Sequence, residues 1–263
     1  MLDKSPPLVS IITPTYNSSK HIEQNLKSVN EQSFKDYEHI IVDDCSHDNT
    51  FEIVEKAAKQ NPKIRYFRLE ENGGAGVARN KAIEMASGRF IAFLDSDDLW
   101  HKDKLSVQID FMFKNNLAMS YCSYYVMNEF GELQYIRAAP KKVGYSDILK
   151  NDYMGFLTTV YDTKYLGKMY MPEIRKRQDW ALKIRILQKN QPALGILQPL
   201  AYYRVGHNSI SKNKNKLLKY NFNVFRKELK MSYIESIFRM ANFLLHYGVY
   251  KVTSKKPIGA FQE

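Results

Sequence analysis

Phe90-Ile91-Ala92-Phe93-Leu94-Asp95-Ser96-Asp97-Asp98 is an apolar run that ends in three carboxylates within four positions. It reads as a strand, Phe90 to Leu94, that leaves a hydrophobic core and opens into a charged turn. Side chains two apart on an extended segment point the same way, so Asp95 and Asp97 can converge on one hard cation, while small Ser96 lets a ligand approach. Acids packed this closely repel each other, and a divalent ion would relieve the repulsion. The plainer reading makes Asp98 a cap for the following helix and the other two loop-tip acids. Position favours function, because open α/β sheets bind ligands at the carboxyl ends of their parallel strands.

Working upstream, short β-rich runs alternate with helical patterns. Val9 to Thr13, His39 to Val42 and Ile64 to Leu69 read as the strands before Phe90 to Leu94. Between them, Ile22, Leu26 and Val29, then Ile53, Val54, Ala57 and Ala58, then Ala78, Ala82, Ile83 and Ala86 fall at helical spacing. The pattern predicts an α/β fold, a mostly parallel sheet covered by crossover helices. Asn49 or Thr50 is expected to cap the second helix and Gly88 to stop the third. Asp43-Asp44 ends the second strand at the same sheet edge, where a carboxylate can accept from a pyrimidine imide N–H or a ribose hydroxyl. The first strand ends in Thr13-Pro14-Thr15-Tyr16-Asn17, where Pro14 fixes φ and Tyr16 offers a flat face for a base. Asn72-Gly73-Gly74-Ala75-Gly76 enters a helix, a setting that favours an anion, and Arg79 stands one turn in, placed to reach a diphosphate. The dinucleotide fingerprint fails: Arg79 takes the position of its third small residue, and the turn after the first strand has no glycine.

Downstream, a helix is expected from about His101 to Asn115, a strand over Met119 to Met127, a helical pattern from Asp179 to Leu187 and an extended segment from Leu194 to Val205. From Lys214 the chain reads as amphipathic helix with a break near Ser232. A boundary near residue 210 is expected to divide a 1–210 α/β domain from a 211–263 basic helical extension. The 263 residues, 44% hydrophobic and 25% charged, exclude disorder and fibrous repeats. Cys45 and Cys122 have no partner in metal-ligand spacing and are expected to be ordinary reduced core residues. Met1 to Pro7 is too short for a signal peptide, and Ile237 to Val252 is interrupted by Arg239, His246 and Lys251, so the expectation is a cytoplasmic chain without a membrane span. Net charge is +11, of which residues 211–263 hold +8. Such an excess suits a polyanion, either nucleic acid or an anionic membrane face, or is simply a solvated surface.

Taken together, Thr13-Pro14-Thr15-Tyr16-Asn17, Val42-Asp43-Asp44-Cys45-Ser46, Asn72-Gly73-Gly74 with Ala78-Arg79-Asn80, and Phe93-Leu94-Asp95-Ser96-Asp97-Asp98 resemble the family 2 glycosyltransferases in order and approximate spacing. The resemblance is strong over residues 8–115 and traceable to about 211. It implies the GT-A fold and an inverting transfer from a nucleotide sugar, usually UDP-linked, to a hydroxyl of a glycan or lipid-linked acceptor, as in bacterial surface polysaccharide assembly. By the same resemblance, Pro14, Tyr16 and Asp44 surround the nucleobase within the Pro14-Thr15-Tyr16-Asn17 turn, with Asp43 the neighbouring candidate. Arg79 and Gly74 belong near the phosphates or donor sugar. Asp95, Ser96 and Asp97 match the Asp-x-Asp signature that contacts ribose and a divalent cation, manganese or magnesium.

Arg177-Gln178-Asp179-Trp180 looks like the family's base motif, which implies Asp179 as catalytic base. Gln178 stands where the family more often has an acid, which puts the basicity of Asp179 in doubt. The segment Tyr203 to Ser211 resembles the one that closes over the donor, which implies His207 as a metal ligand beside Asp97. A sugar-1-phosphate nucleotidyltransferase would place a glycine-rich loop after the first strand, where Pro14 to Asn17 stands. A nucleic-acid partner is not expected, since acids line the predicted cleft and the tail carries no recognition motif. A non-catalytic sugar-nucleotide-binding relative stays open. The tail either packs on the core, joins two subunits, or lies on an anionic membrane surface.

Overall fold

The computed structural model describes residues 5–174, 176–206 and 214–261. Their order is β1 (Val9–Thr15), α1 (Ile22–Asn30), β2 (Tyr37–Asp43), α2 (Thr50–Gln60), β3 (Ile64–Arg68), α3 (Ala75–Met85), β4 (Phe90–Phe93), β5 (Leu99–Trp100) and α4 (Lys104–Lys114). There follow β6 (Met119–Asn128), β7 (Leu133–Arg137), β8 (Lys142–Val143), α5 (Tyr145–Ile148), β9 (Val160–Asp162), α6 (Thr163–Leu166), α7 (Gln178–Lys189) and β10 (Ala193–Val205). The chain ends in α8 (Lys214–Asn223), α9 (Tyr233–Thr253) and β11 (Lys255–Lys256).

One sheet organises the molecule, in the order β11-β7-β6-β9-β4-β1-β2-β3, with β10 paired to β6. The crossover half, β4-β1-β2-β3, is parallel throughout. In the other half β10 runs parallel to β6, while β9 is antiparallel to both β4 and β6. This keeps β6 and β10 in the same direction as β4, so all three open at one carboxyl edge. Strands β1 and β2 are buried at every position, as expected where helices cover both faces, and their buried Ser10 and Glu38, and Thr13 and His39, pair with each other.

Two local expectations are corrected. Asn49 stands at the N-cap of α2 without a side-chain cap bond, and it is Asp48 that accepts from the Thr50 backbone N–H. Gly88 lies beyond the end of α3 and serves a close approach: a Cβ there would sit 2.6 Å from the Ser10 backbone nitrogen. Helix α9 starts where the break was expected, with the Ser232 hydroxyl accepting from the Glu235 N–H. The terminal helices enter the main core through Val224, Phe225 and Phe243. Phe225 meets the buried Trp180 indole edge-on, at 5.5 Å between ring centroids, and Phe243 lies 5.1 Å from it. Cys45 and Cys122 are free thiols.

Candidate active site

The carboxyl edges of β1, β2 and β4 surround a cleft of about 520 Å³, in the range of small-ligand sites. Pro14, Thr15, Tyr16 and Asn17 form one wall, Asp44, Gly74 and Arg79 another, and Asp95, Ser96 and Asp97 the floor. Four separate stretches of sequence therefore converge on one cleft.

The walls are tied together by backbone geometry. Asn17 and Cys45 both adopt left-handed conformations, with φ of 46° and 65°. Asn17 donates its N–H to Ser46 Oγ at 2.9 Å and accepts the His47 N–H on Oδ1 at 2.8 Å. Strained backbone of this kind persists only where its surroundings hold it. Gly74, at φ 86°, has open space around its missing Cβ, so its requirement for glycine is conformational.

Asp43 and Asp44 face opposite sides, as consecutive residues leaving a strand must. Asp43 is not among the residues lining the cleft; it is buried and accepts from the Ser46 N–H and hydroxyl and from the Tyr66 hydroxyl. Asp44 faces the cleft, yet its carboxylate accepts the N–H groups of Gly73 and Gly74, both at 2.8 Å. The anion held by these two N–H groups of the glycine turn is thus Asp44 itself, which corrects the expectation that they are free for a diphosphate. Burial raises the Asp44 carboxyl above its ordinary value, the Asp43 charge adds to this, and the two N–H donors oppose it.

On the floor, Arg79 Nη2 binds Asp95 Oδ1 at 2.5 Å, and its guanidinium lies 5.0 Å from the centroid of the Phe156 ring. Asp98 is buried, well raised by that burial and by its acidic neighbours, and accepts the Arg204 backbone N–H instead of capping a helix. Asp97 keeps its carboxyl open to the cleft. Loss of bulk water, then the Asp95 charge, lift it to about 6. No group of three or more His, Cys, Asp or Glu side chains arranged to hold a metal occurs among the described residues. His207 lies outside the described residues; His21, which was not singled out, lines the cleft. Burial, then Arg204 and Lys20, lower its imidazole, with Glu129 opposing.

Asp179 lies on the first turn of α7, outside the residues that line the cleft but within the field of Arg79, which does line it. The start of α7 packs on the start of α3 so closely that a Cβ on Gly76 would lie 2.1 Å from the Gln178 amide nitrogen. Arg177, just before the helix, is left-handed at φ 64°. Burial would raise the Asp179 carboxyl, but Lys183, Arg177 and Arg79 outweigh it and hold it below its usual range. Arg79 therefore joins the fields of Asp95 and Asp179, and Tyr203 of β10 feels Asp95, Asp97, Asp98 and Asp179 together.

Sequence reasoning missed what holds the acidic turn. Asn25 donates from Nδ2 to the carbonyls of Asp95 and Asp98, and Arg204 Nε donates to the Asp97 carbonyl at 2.9 Å. A signal for Asn25 existed: it is a polar residue three after Ile22 on the inward face of α1, where burial demands partners.

The sequence description "Glycosyl transferase family 2" matches residues 10–166. The chain belongs to glycosyltransferase family 2. It is 45% identical over 231 residues to TuaG of Bacillus subtilis, a glycosyltransferase named for teichuronic acid biosynthesis, covering 88% of this chain and 92% of that protein. WfgD of Escherichia coli, named as a UDP-Glc:alpha-D-GlcNAc-diphosphoundecaprenol beta-1,3-glucosyltransferase, is 37% identical over 92% of each chain. Among solved structures, S. aureus TarS 1-349 in complex with UDP superposes with a TM-score of 0.68 at 26% identity, covering 91% of this chain and 72% of that one. The GT-A expectation stands, and the chain is a glycosyltransferase.

Proposed function

We propose that this glycosyltransferase moves a sugar from a UDP-linked donor to a hydroxyl of a lipid-linked glycan acceptor in surface polysaccharide synthesis, with inversion at the anomeric carbon. The observation that carries the reading is the convergence of Asp44, Asp95 and Asp97 on one cleft, with Asp179 in the field of Arg79, which lines it. Tyr16, 46% exposed in the wall, offers its ring to the base. Asp44 retains lone pairs for the imide or ribose. Asp95, pinned by Arg79, presents its second oxygen.

A divalent cation fits the donor set: Asp97 offers an open hard-oxygen ligand, and such cations are commonly held by one or two carboxylates together with substrate phosphates. Asp97 would hold it, with His207 as the partner implied by the family. A manganese or magnesium ion bound there would supply positive charge against the diphosphate and so would make it a better leaving group. Asp179 takes the proton from the acceptor hydroxyl. The hydroxyl oxygen bonds to the anomeric carbon as the bond from that carbon to the diphosphate oxygen breaks, and the nucleoside diphosphate departs.

A thermal-shift panel of sugar nucleotides with manganese tests the donor. A UDP-sugar is expected to raise the melting temperature, since a ligand at 100 times its Kd adds about 2.7 kcal/mol, and EDTA should cancel the shift. No shift with any nucleotide sugar overturns the donor reading; an EDTA-resistant shift with undiminished transfer overturns the cation alone.

In this reading residues 1–210 bind the donor and catalyse, and 211–263 bring the enzyme to its acceptor. No helix among the described residues is long and apolar enough to cross a membrane. Helix α9 nevertheless exposes a stripe in which Ile234 is 82%, Leu245 72% and Val252 75% accessible, with Phe238 and Val249 between them. Lys251, Lys255 and Lys256 stand exposed near its end. An apolar stripe with basic flanks suits the surface of an anionic inner leaflet, at about 1 kcal/mol per basic residue near the lipid. The protein should co-sediment with phosphatidylglycerol vesicles at low salt and release at high salt, and Leu245→Glu should weaken this. If it stays in the supernatant and forms dimers through α9, the stripe is a subunit interface instead.

A further inference from the structure

The first turn of α7 lacks the second acid that Gln178 replaces, but the fold brings one from elsewhere. Lys183, one turn after Asp179, is wholly buried, and its Nζ lies 2.7 Å from Asp152 Oδ1 and 3.7 Å from Asp179 Oδ2. The same ammonium donates to Asp152 Oδ2 at 2.9 Å and to the Met154 carbonyl at 2.7 Å. The geometry therefore divides one buried cation unequally between two carboxylates, with Asp152 in contact and Asp179 at arm's length. Asp179 keeps a side chain 32% exposed.

We propose that Asp152 is a positioning residue for transfer: by engaging Lys183 it keeps that cation from closing onto Asp179, leaving the Asp179 carboxylate free for the acceptor proton. The inference rests on the assignment of Asp179 as base. The groups that face the pair are few. Asp179 meets Lys183 from its own helix, Arg177 from the preceding turn, Arg79 from α3 and Tyr203 from β10. Asp152 meets Lys183, Asp179, Arg177 and Tyr250 of α9. Removing the Asp152 charge releases Lys183 to Asp179 and makes it a weaker base; removing Lys183 leaves two acids to repel and makes it a stronger one.

The test is an NMR pH titration of protein carrying carboxyl-¹³C aspartate, with the Asp179 signal identified by its loss in Asp179→Asn. Asp152→Asn should lower the Asp179 midpoint by about one pH unit, Lys183→Met should raise it, and Asp152→Glu should return it towards the parent. The acid limb of the transfer rate should move with the midpoint, while UDP binding stays unchanged. Asp152→Asn is nearly isosteric and carries the test if Lys183→Met fails to fold. An unmoved or raised midpoint in Asp152→Asn overturns the proposal while leaving Asp179 as base. Full transfer by Asp179→Asn would overturn the base assignment and this inference with it.

Discussion

Asp179→Asn should lose glycosyl transfer by about 10³-fold or more while binding the donor as the parent does. The amide preserves the shape of the side chain but cannot take a proton, and a positioned general base contributes about 10² to 10⁴ in rate. Donor binding is spared because Asp179 is not among the residues lining the donor cleft. The measurement pairs the UDP-induced melting shift with single-turnover transfer, which separates binding from chemistry. Since neighbouring cations hold this carboxyl below its ordinary value, the acid limb set by Asp179, measured with the divalent cation saturating so that Asp97 stays ionised, should fall below the usual aspartate value near pH 4. Protonation then disables the base only in strong acid. Undiminished transfer in the variant would remove Asp179 from the role.

The largest loss of stability is expected from Trp180→Ala. The indole is fully buried, donates from Nε1 to the Ile148 carbonyl at 2.8 Å, and packs against Phe225 and Phe243. Truncating such a side chain leaves a cavity and an unpaired carbonyl, and costs about 3–5 kcal/mol. Domains hold only about 5–15 kcal/mol in total, so the variant should be marginal. A domain of this size falls about 2–4 °C per kcal/mol, which predicts a drop on the order of 10 °C in Tm. Phe225→Ala should be less than additive with it, because the two rings touch. Urea unfolding checks both, and a change under 1 kcal/mol for Trp180→Ala would show that the terminal helices do not brace α7.

Much of the site is a matter of local spacing. The alternation of β-rich and helical runs through Phe93 is enough to locate the first four strands, because β1, β2 and β4 are buried at every position, while β3, at the sheet edge, keeps a β-rich run with only Ile64 buried. The acids that follow β2 and β4 had to share an edge once those strands were parallel. Which side each acid faces was also written in the chain, since Asp43 and Asp44 are consecutive and cannot look the same way, although their separation became visible only with Ser46 and Tyr66 in place.

The sequence by itself determined the sheet half that carries the cleft, the acidic turn at Asp95 to Asp98, and the helix that begins at Gln178. Those features depend on periodicity and on neighbours a few residues apart, which a linear chain displays directly. Tertiary structure alone decided that Asp44 fills the glycine turn, that Asn25 and Arg204 hold the acidic turn from 70 and 107 residues away, and that Asp152 meets Lys183 across 31. Such pairings follow from the requirement that buried polar groups find partners, and that requirement names no partner until packing brings distant segments together.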